Sequence, residues 1–154
     1  MKTRSLAVIL VSLLVASAVS PQATAQTSGA PAGPSLYKRL GGYDAIAAVS
    51  DDFVPRLIAD KQVGRFLVGL SENSKGRLRQ MFVEFVCAGT GGPCIYTGRD
   101  MKTSHKGMGI TASDWDISVK HLVATLEKFK VPEKEKTELL AIVSSLKGDI
   151  VEKP

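Results

Sequence analysis

The chain has 154 residues, enough for one domain, and a formal charge of +5 that falls to +3 once the basic pair Lys2 and Arg4 is set aside. Its lysines and arginines are scattered among acids, with no arginine-rich strip and no alternation with aromatics, so no nucleic-acid partner is expected. No phosphate-binding glycine loop, dinucleotide fingerprint or GxSxG nucleophile elbow occurs.

The start of the chain reads as a targeting segment. Met1 to Arg4 is basic, Ser5 to Val19 is almost wholly apolar, and Ala23-Thr24-Ala25 has the small-x-small pattern of a signal peptidase site. The expected product is a periplasmic or secreted protein cleaved after Ala25. The apolar run is short for a bilayer span, so no membrane anchor is expected after cleavage; the competing reading is an uncleaved anchor. Gln26 to Ser35 (QTSGAPAGPS) is a flexible linker, and residues 36–152 form the folded domain.

Strand signals are nearly absent from that domain, and helical periodicity recurs. Ser35 to Leu40 is one short turn, stopped by Gly41-Gly42. From Tyr43 to Asp60, the residues Ile46, Val49, Phe53 and Leu57 share one helical face, and Pro55 should kink or shorten the helix because it lacks an amide donor. Lys61 to Ser74 is irregular. A helix over about Lys75 to Ala88 presents Leu78, Phe82, Phe85 and Val86. The run GTGGPCIYTG (89–98) cannot be regular. A short helix over about Arg99 to Lys106 ends at Gly107 or Gly109. The next helix begins at Ser113, with Asp116 completing a capping box, and turns Trp115, Val119, Leu122, Leu126 and Phe129 inward. After Val131-Pro132, a last helix buries Leu139, Ile142, Val143, Leu146 and Ile150.

Two histidines and two cysteines carry the candidate chemistry. His105 lies in MKTSHKGMGIT (101–111), on a short turn between Met101 and Met108. Soft apolar neighbours suit an imidazole facing a flat buried cofactor, and they equally suit a half-buried histidine bonded to a carbonyl. His121 sits one residue off its helix's apolar stripe and reads as an edge histidine. Asp51-Asp52 and Asp114/Asp116 read as helix-start or surface charges. Cys87 and Cys94 favour a disulfide in an oxidising compartment over a zinc site or a catalytic thiol.

A set of motifs in order resolves the ambiguity at His105. LYKRLGG (36–42), DDF (51–53), LIAD (57–60), VEF (83–85), GGP (91–93), YTG (96–98) and MKxxHxGxGIT (101–111) together resemble the truncated haemoglobins of group I, across essentially all of residues 36–150. The resemblance implies an all-α, two-over-two helical sandwich enclosing haem b. It aligns His105 with the proximal iron ligand, and the implied haem neighbours are Phe53, Val54, Leu78, Phe82, Phe85, Met101 and Met108. Arg99, Lys102 and Lys106 flank His105 and are the candidate cations for the haem propionates, with ordinary surface charges as the competing reading. The implied function is reversible binding of a diatomic gas: O2, NO or CO.

The sequence departs from that family across the haem. A position that often carries tyrosine is Val54 here, and the positions that usually offer a glutamine are Leu78 and Phe82. Gln80 is expected to point away. A hydrogen-bond donor opposite the proximal histidine slows O2 release and supports oxidation of NO to nitrate, so its loss points to weakly held O2. An NO dioxygenase or peroxidase-like enzyme, or an electron-transfer protein with Met81 as an internal sixth ligand, remain the alternatives. Either redox role would draw on an external reductant.

Overall fold

A computed structural model describes residues 33–153. The expected signal segment and most of the expected linker lie outside the described residues. Seven α-helices follow one another among the described residues: α1 (Leu36–Arg39), α2 (Gly42–Ala59), α3 (Glu72–Gly89), α4 (Met101–His105), α5 (Ala112–Lys128), α6 (Glu133–Ser144) and α7 (Lys147–Ile150), with a 3-10 turn over Gly64–Leu67. No strand occurs among the described residues. One isolated bridge pairs Thr111 with Lys153.

The core forms where α2 crosses α3 and α5. Ile46, Phe53 and Val54 from α2 meet Val83 and Val86 from α3, Leu122 and Leu126 from α5, and Leu139 from α6. These side chains recur at three- and four-residue spacings, so each helix gives one stripe to a shared apolar centre. Polar ties flank it. Asp52 accepts the Thr125 hydroxyl at 2.9 Å and pairs with Arg56 and Lys128, joining α2 to α5. Arg56, then Lys128, hold the Asp52 carboxyl well below the usual carboxylate range. Arg39 of α1 bridges to Glu135 at 3.0 Å and to Glu138, both on α6.

Several local expectations need correction. Pro55 does not shorten α2, which continues through it to Ala59. Only the Asp51 carbonyl loses its backbone donor, and α2 is held by packing on both sides. Helix α3 starts at Glu72 rather than Lys75, because the Ser71 hydroxyl accepts the Ser74 amide at 3.2 Å and caps it. The capping box of α5 is Thr111 with Asp114, two residues before the expected Ser113 and Asp116. Thr111 has the extended backbone a cap requires, whereas Ser113 is already inside the helix. The last helix is two helices, interrupted at Ser145 and Leu146, and of its expected stripe only Leu139 is fully buried. Phe129 closes α5 as an exposed residue. Asp52 lies mid-helix and half-buried, and Asp114 is buried at 1% exposure, so neither is a plain surface charge.

The sulfurs of Cys87 and Cys94 are within bonding distance, with their Cα atoms 5.7 Å apart, at the point where α3 gives way to the loop leading to α4. Gly92 turns inside that ring. A side chain there would start 2.5 Å from the Tyr37 ring and 2.8 Å from the Cys87 sulfur, so only glycine fits. No helix among the described residues is long and apolar enough to cross a membrane.

Candidate functional site

Helix α4 has five residues, too few to be stable by its own backbone hydrogen bonds. Its start is fixed from outside the helix. Asp100 caps it by accepting the Thr103 amide at 2.8 Å, and the Tyr96 hydroxyl donates to the Arg99 carbonyl at 2.8 Å. Tyr96 also stands edge-on to Phe85 of α3, ring centres 5.3 Å apart.

His105 is the last residue of α4 and is half-buried. Its Nδ1 lies 2.8 Å from the Met101 carbonyl oxygen one turn earlier. A carbonyl can only accept, so Nδ1 carries a proton, and in the neutral ring the lone pair is on Nε2. Nε2 has no hydrogen-bond partner among the described residues. The imidazole is therefore oriented with Nε2 as the ring nitrogen left available to a ligand. His121 is different: its Nε2 lies 2.8 Å from Asp60 Oδ2, which makes it the edge histidine its position predicts. The Val63 amide, then His121, hold Asp60 down at about 2.

Beyond His105 the chain reverses through Gly107 and Gly109, both with positive φ (81° and 66°), a conformation that L side chains rarely adopt. Glu152 accepts both of their amides, Gly107 at 2.6 Å and Gly109 at 2.5 Å.

The other expected site residues divide into three groups. Phe53 and Val54 are buried on α2, and Leu78, Phe82 and Phe85 pack half-buried against the same core. Phe53 and Phe82 face each other with ring centres 4.9 Å apart. Met101 and Met108 are half-buried on either side of His105, whereas Arg99, Lys102 and Lys106 are exposed and make no ion pair among the described residues. Gln80 is engaged on the outer side of α3, its amide nitrogen donating to Glu84 at 3.1 Å and its oxygen 3.4 Å from the hydroxyl of exposed Tyr43.

Sequence reasoning missed Glu152 altogether, and it missed the ties that make Asp114, read as a helix-start charge and found in the first turn of α5, a buried junction. Asp114 accepts Gln62 Nε2 and Arg65 Nη2, each at 2.8 Å, besides Thr111. Arg65 in turn lies over the Phe66 ring at 4.5 Å, so the start of α5 is tied to the 3-10 turn. The Thr-x-x-Asp spacing at Thr111 was a legible signal that the Ser113 frame obscured. Glu152 had no signal, since nothing local marks a carboxylate that bonds across more than 40 residues.

The donor set fits haem. Among the described residues, no group of three or more His, Cys, Asp or Glu side chains could hold a metal ion. One imidazole with a free Nε2 can complete the coordination of a metal whose other ligands come from a flat macrocycle.

Comparison with known proteins gives the family and the fold. Residues 35–152 match the model of the bacterial-like globin family. The group 1 truncated hemoglobin GlbN of Mycolicibacterium paratuberculosis is 37% identical over 116 residues, covering 75% of this chain and 83% of that protein. The crystal structure of the truncated hemoglobin from Tetrahymena pyriformis in its Fe(III) form superposes with a TM-score of 0.71 at 25% identity, covering 77% of this chain and 98% of that one. The 2/2 hemoglobin of Synechococcus, solved with covalently attached heme, superposes with a TM-score of 0.69 at 28% identity and the same coverage. The helices, their order and these matches lead to one assignment: the chain belongs to the bacterial-like globin family and has the two-over-two fold of the group 1 truncated haemoglobins.

Proposed function

We propose that this protein is an exported haem globin in which His105 Nε2 ligates the iron and a diatomic gas binds on the opposite face. The observation that carries the ligand role is the Nδ1 bond to the Met101 carbonyl, which fixes both the tautomer and the ring and leaves Nε2 free. Haem supplies an iron with one coordination position open to O2, NO or CO.

This chain's residues shape what that position can do. Val54, Leu78, Phe53 and Phe82 offer hydrocarbon where a donor would retain O2, and Gln80 is engaged elsewhere. O2 is therefore held weakly, which favours NO or CO or a rapid exchange of O2. Arg99, Lys102 and Lys106 are free to meet the propionates. The sequence pattern of a targeting segment ending at Ala25 and the approach of Cys87 to Cys94 support export to an oxidising compartment.

Absorption spectra of the oxidised, reduced and CO- or NO-bound protein test this reading. A reduced form that is five-coordinate and takes up CO at once supports an open sixth site. His105→Ala should lose haem or its histidine-ligated spectrum; an unchanged spectrum would overturn the assignment.

A further inference from the structure

The segment after α7 returns across the turn that follows His105. Glu152 is a two-point acceptor there: Oε1 takes the Gly107 amide and Oε2 takes the Gly109 amide. The backbone reinforces the contact. The amides of Glu152 and Lys153 donate to the Ile110 carbonyl at 2.9 and 3.1 Å, and the Ala112 amide donates to the Lys153 carbonyl at 3.1 Å. Ile110 itself is buried, so the strap is anchored to the core. The Glu152 carboxyl is held below its ordinary range, first by the Gly107 and Gly109 amides, with Lys153 adding to the effect.

This arrangement answers a mechanical need. Asp100 and Tyr96 secure the start of α4, whereas the turn past its C-terminal end, with Gly107 and Gly109, has one local bond, from the Met108 amide to the His105 carbonyl at 3.2 Å. Glycines permit many backbone conformations, so an outside constraint has to select one. Glu152 makes no ion pair among the described residues; its hydrogen bonds go to those two amides. We propose that Glu152 is a positioning residue for the proximal histidine: by bridging Gly107 and Gly109 it fixes the height and tilt at which the His105 imidazole meets the iron. The proposal rests on His105 being the iron ligand. Glutamine cannot replace the carboxylate, because it offers one acceptor oxygen and turns an NH2 toward the second amide.

The test uses the ferrous, five-coordinate holoprotein. Its two readouts are the iron–histidine stretching band in resonance Raman and the rate of haem transfer to excess apomyoglobin. In E152Q the band should shift down and broaden, and haem loss should rise about tenfold, as for other residues that orient a metal ligand. The control is His105→Gly reconstituted with free imidazole, where the ligand has no tether to the turn. There E152Q should leave the iron–imidazole band unmoved. An unchanged band and haem-loss rate in E152Q, even with a lowered Tm, would overturn the proposal. So would an equal shift with free imidazole. If E152Q does not fold, Glu152→Asp takes its place: one methylene shorter, it reaches a single amide and should give a smaller shift, and an unmoved band overturns the proposal. A wild-type band in imidazole-free H105G would instead overturn the ligand assignment.

Discussion

The rings of Phe53 and Phe82 stand 4.9 Å apart, tilted by 40°, so α2 and α3 meet through hydrocarbon at two of the positions expected to face bound gas. Phe82→Gln places an amide donor on that face. One hydrogen bond to bound O2 contributes about 1.4 kcal/mol, which is about a tenfold slower release. Flash photolysis and stopped-flow O2 kinetics on F82Q should show that slowing, with the CO dissociation rate nearly unchanged. Equal O2 release rates in both proteins would mean that the wild-type pocket already supplies a donor.

Asp114 is the buried junction between α5 and the 3-10 turn. Desolvation pushes its carboxyl up, but the Thr111 amide, Gln62 and then Arg65 outweigh it and hold the group at about 2. A carboxyl lowered on folding contributes stability that is complete above its unfolded value of about 4 and is lost as pH falls toward 2. Denaturant titrations of wild type should therefore show stability falling over that window, and D114N should show a flatter profile from a lower start. The loss near neutral pH is expected at about 2 kcal/mol, because Thr111, Gln62 and Arg65 lose a charged partner. Identical slopes would remove Asp114 as the source.

A bond between Cys87 and Cys94 closes a short loop, with a sequence separation of 7. Thiol titration of exported, unfolded protein should find no free thiol before reduction and two after it. Cys94→Ser should cost about 2 kcal/mol through the freed unfolded chain. Gly92→Ala should also lower the Tm, by a different route, strain in the folded state, since its Cβ meets Tyr37 and both the carbonyl and the sulfur of Cys87.

Pro55 sits inside α2 and leaves the Asp51 carbonyl without its backbone donor. Pro55→Ala restores that donor while giving up some rigidity in the unfolded chain. The balance favours the substitution by about 1 kcal/mol, so thermal unfolding followed by circular dichroism should show a Tm higher by a few degrees. A lower Tm would mean that α2 bends at Pro55 to fit α3 and α5.

The helices and the His105 turn were legible because their causes are local. Ile46, Phe53, Val86, Leu122 and Leu126 repeat at helical spacing whatever they later pack against. Glycines and prolines mark the interruptions, and the bond from His105 to Met101 joins residues only one turn apart. The apolar character of Val54, Leu78 and Phe82 was equally plain, since composition at an aligned position needs no coordinates. Boundaries were less legible where two frames competed, as at Thr111 and Ser113.

Tertiary structure decided how the distant carboxylates were used. Asp114 could have remained a simple helix cap, but the approach of the 3-10 turn brings Gln62 and Arg65 to it. Asp60 meets His121 only because α2 and α5 cross. Glu152 reaches Gly107 and Gly109 only because α7 directs the following residues back over α4. A pattern of residue types records what each segment can form with itself. The partner of a long polar side chain is set by where other segments arrive, and that follows from burying all the apolar stripes at once.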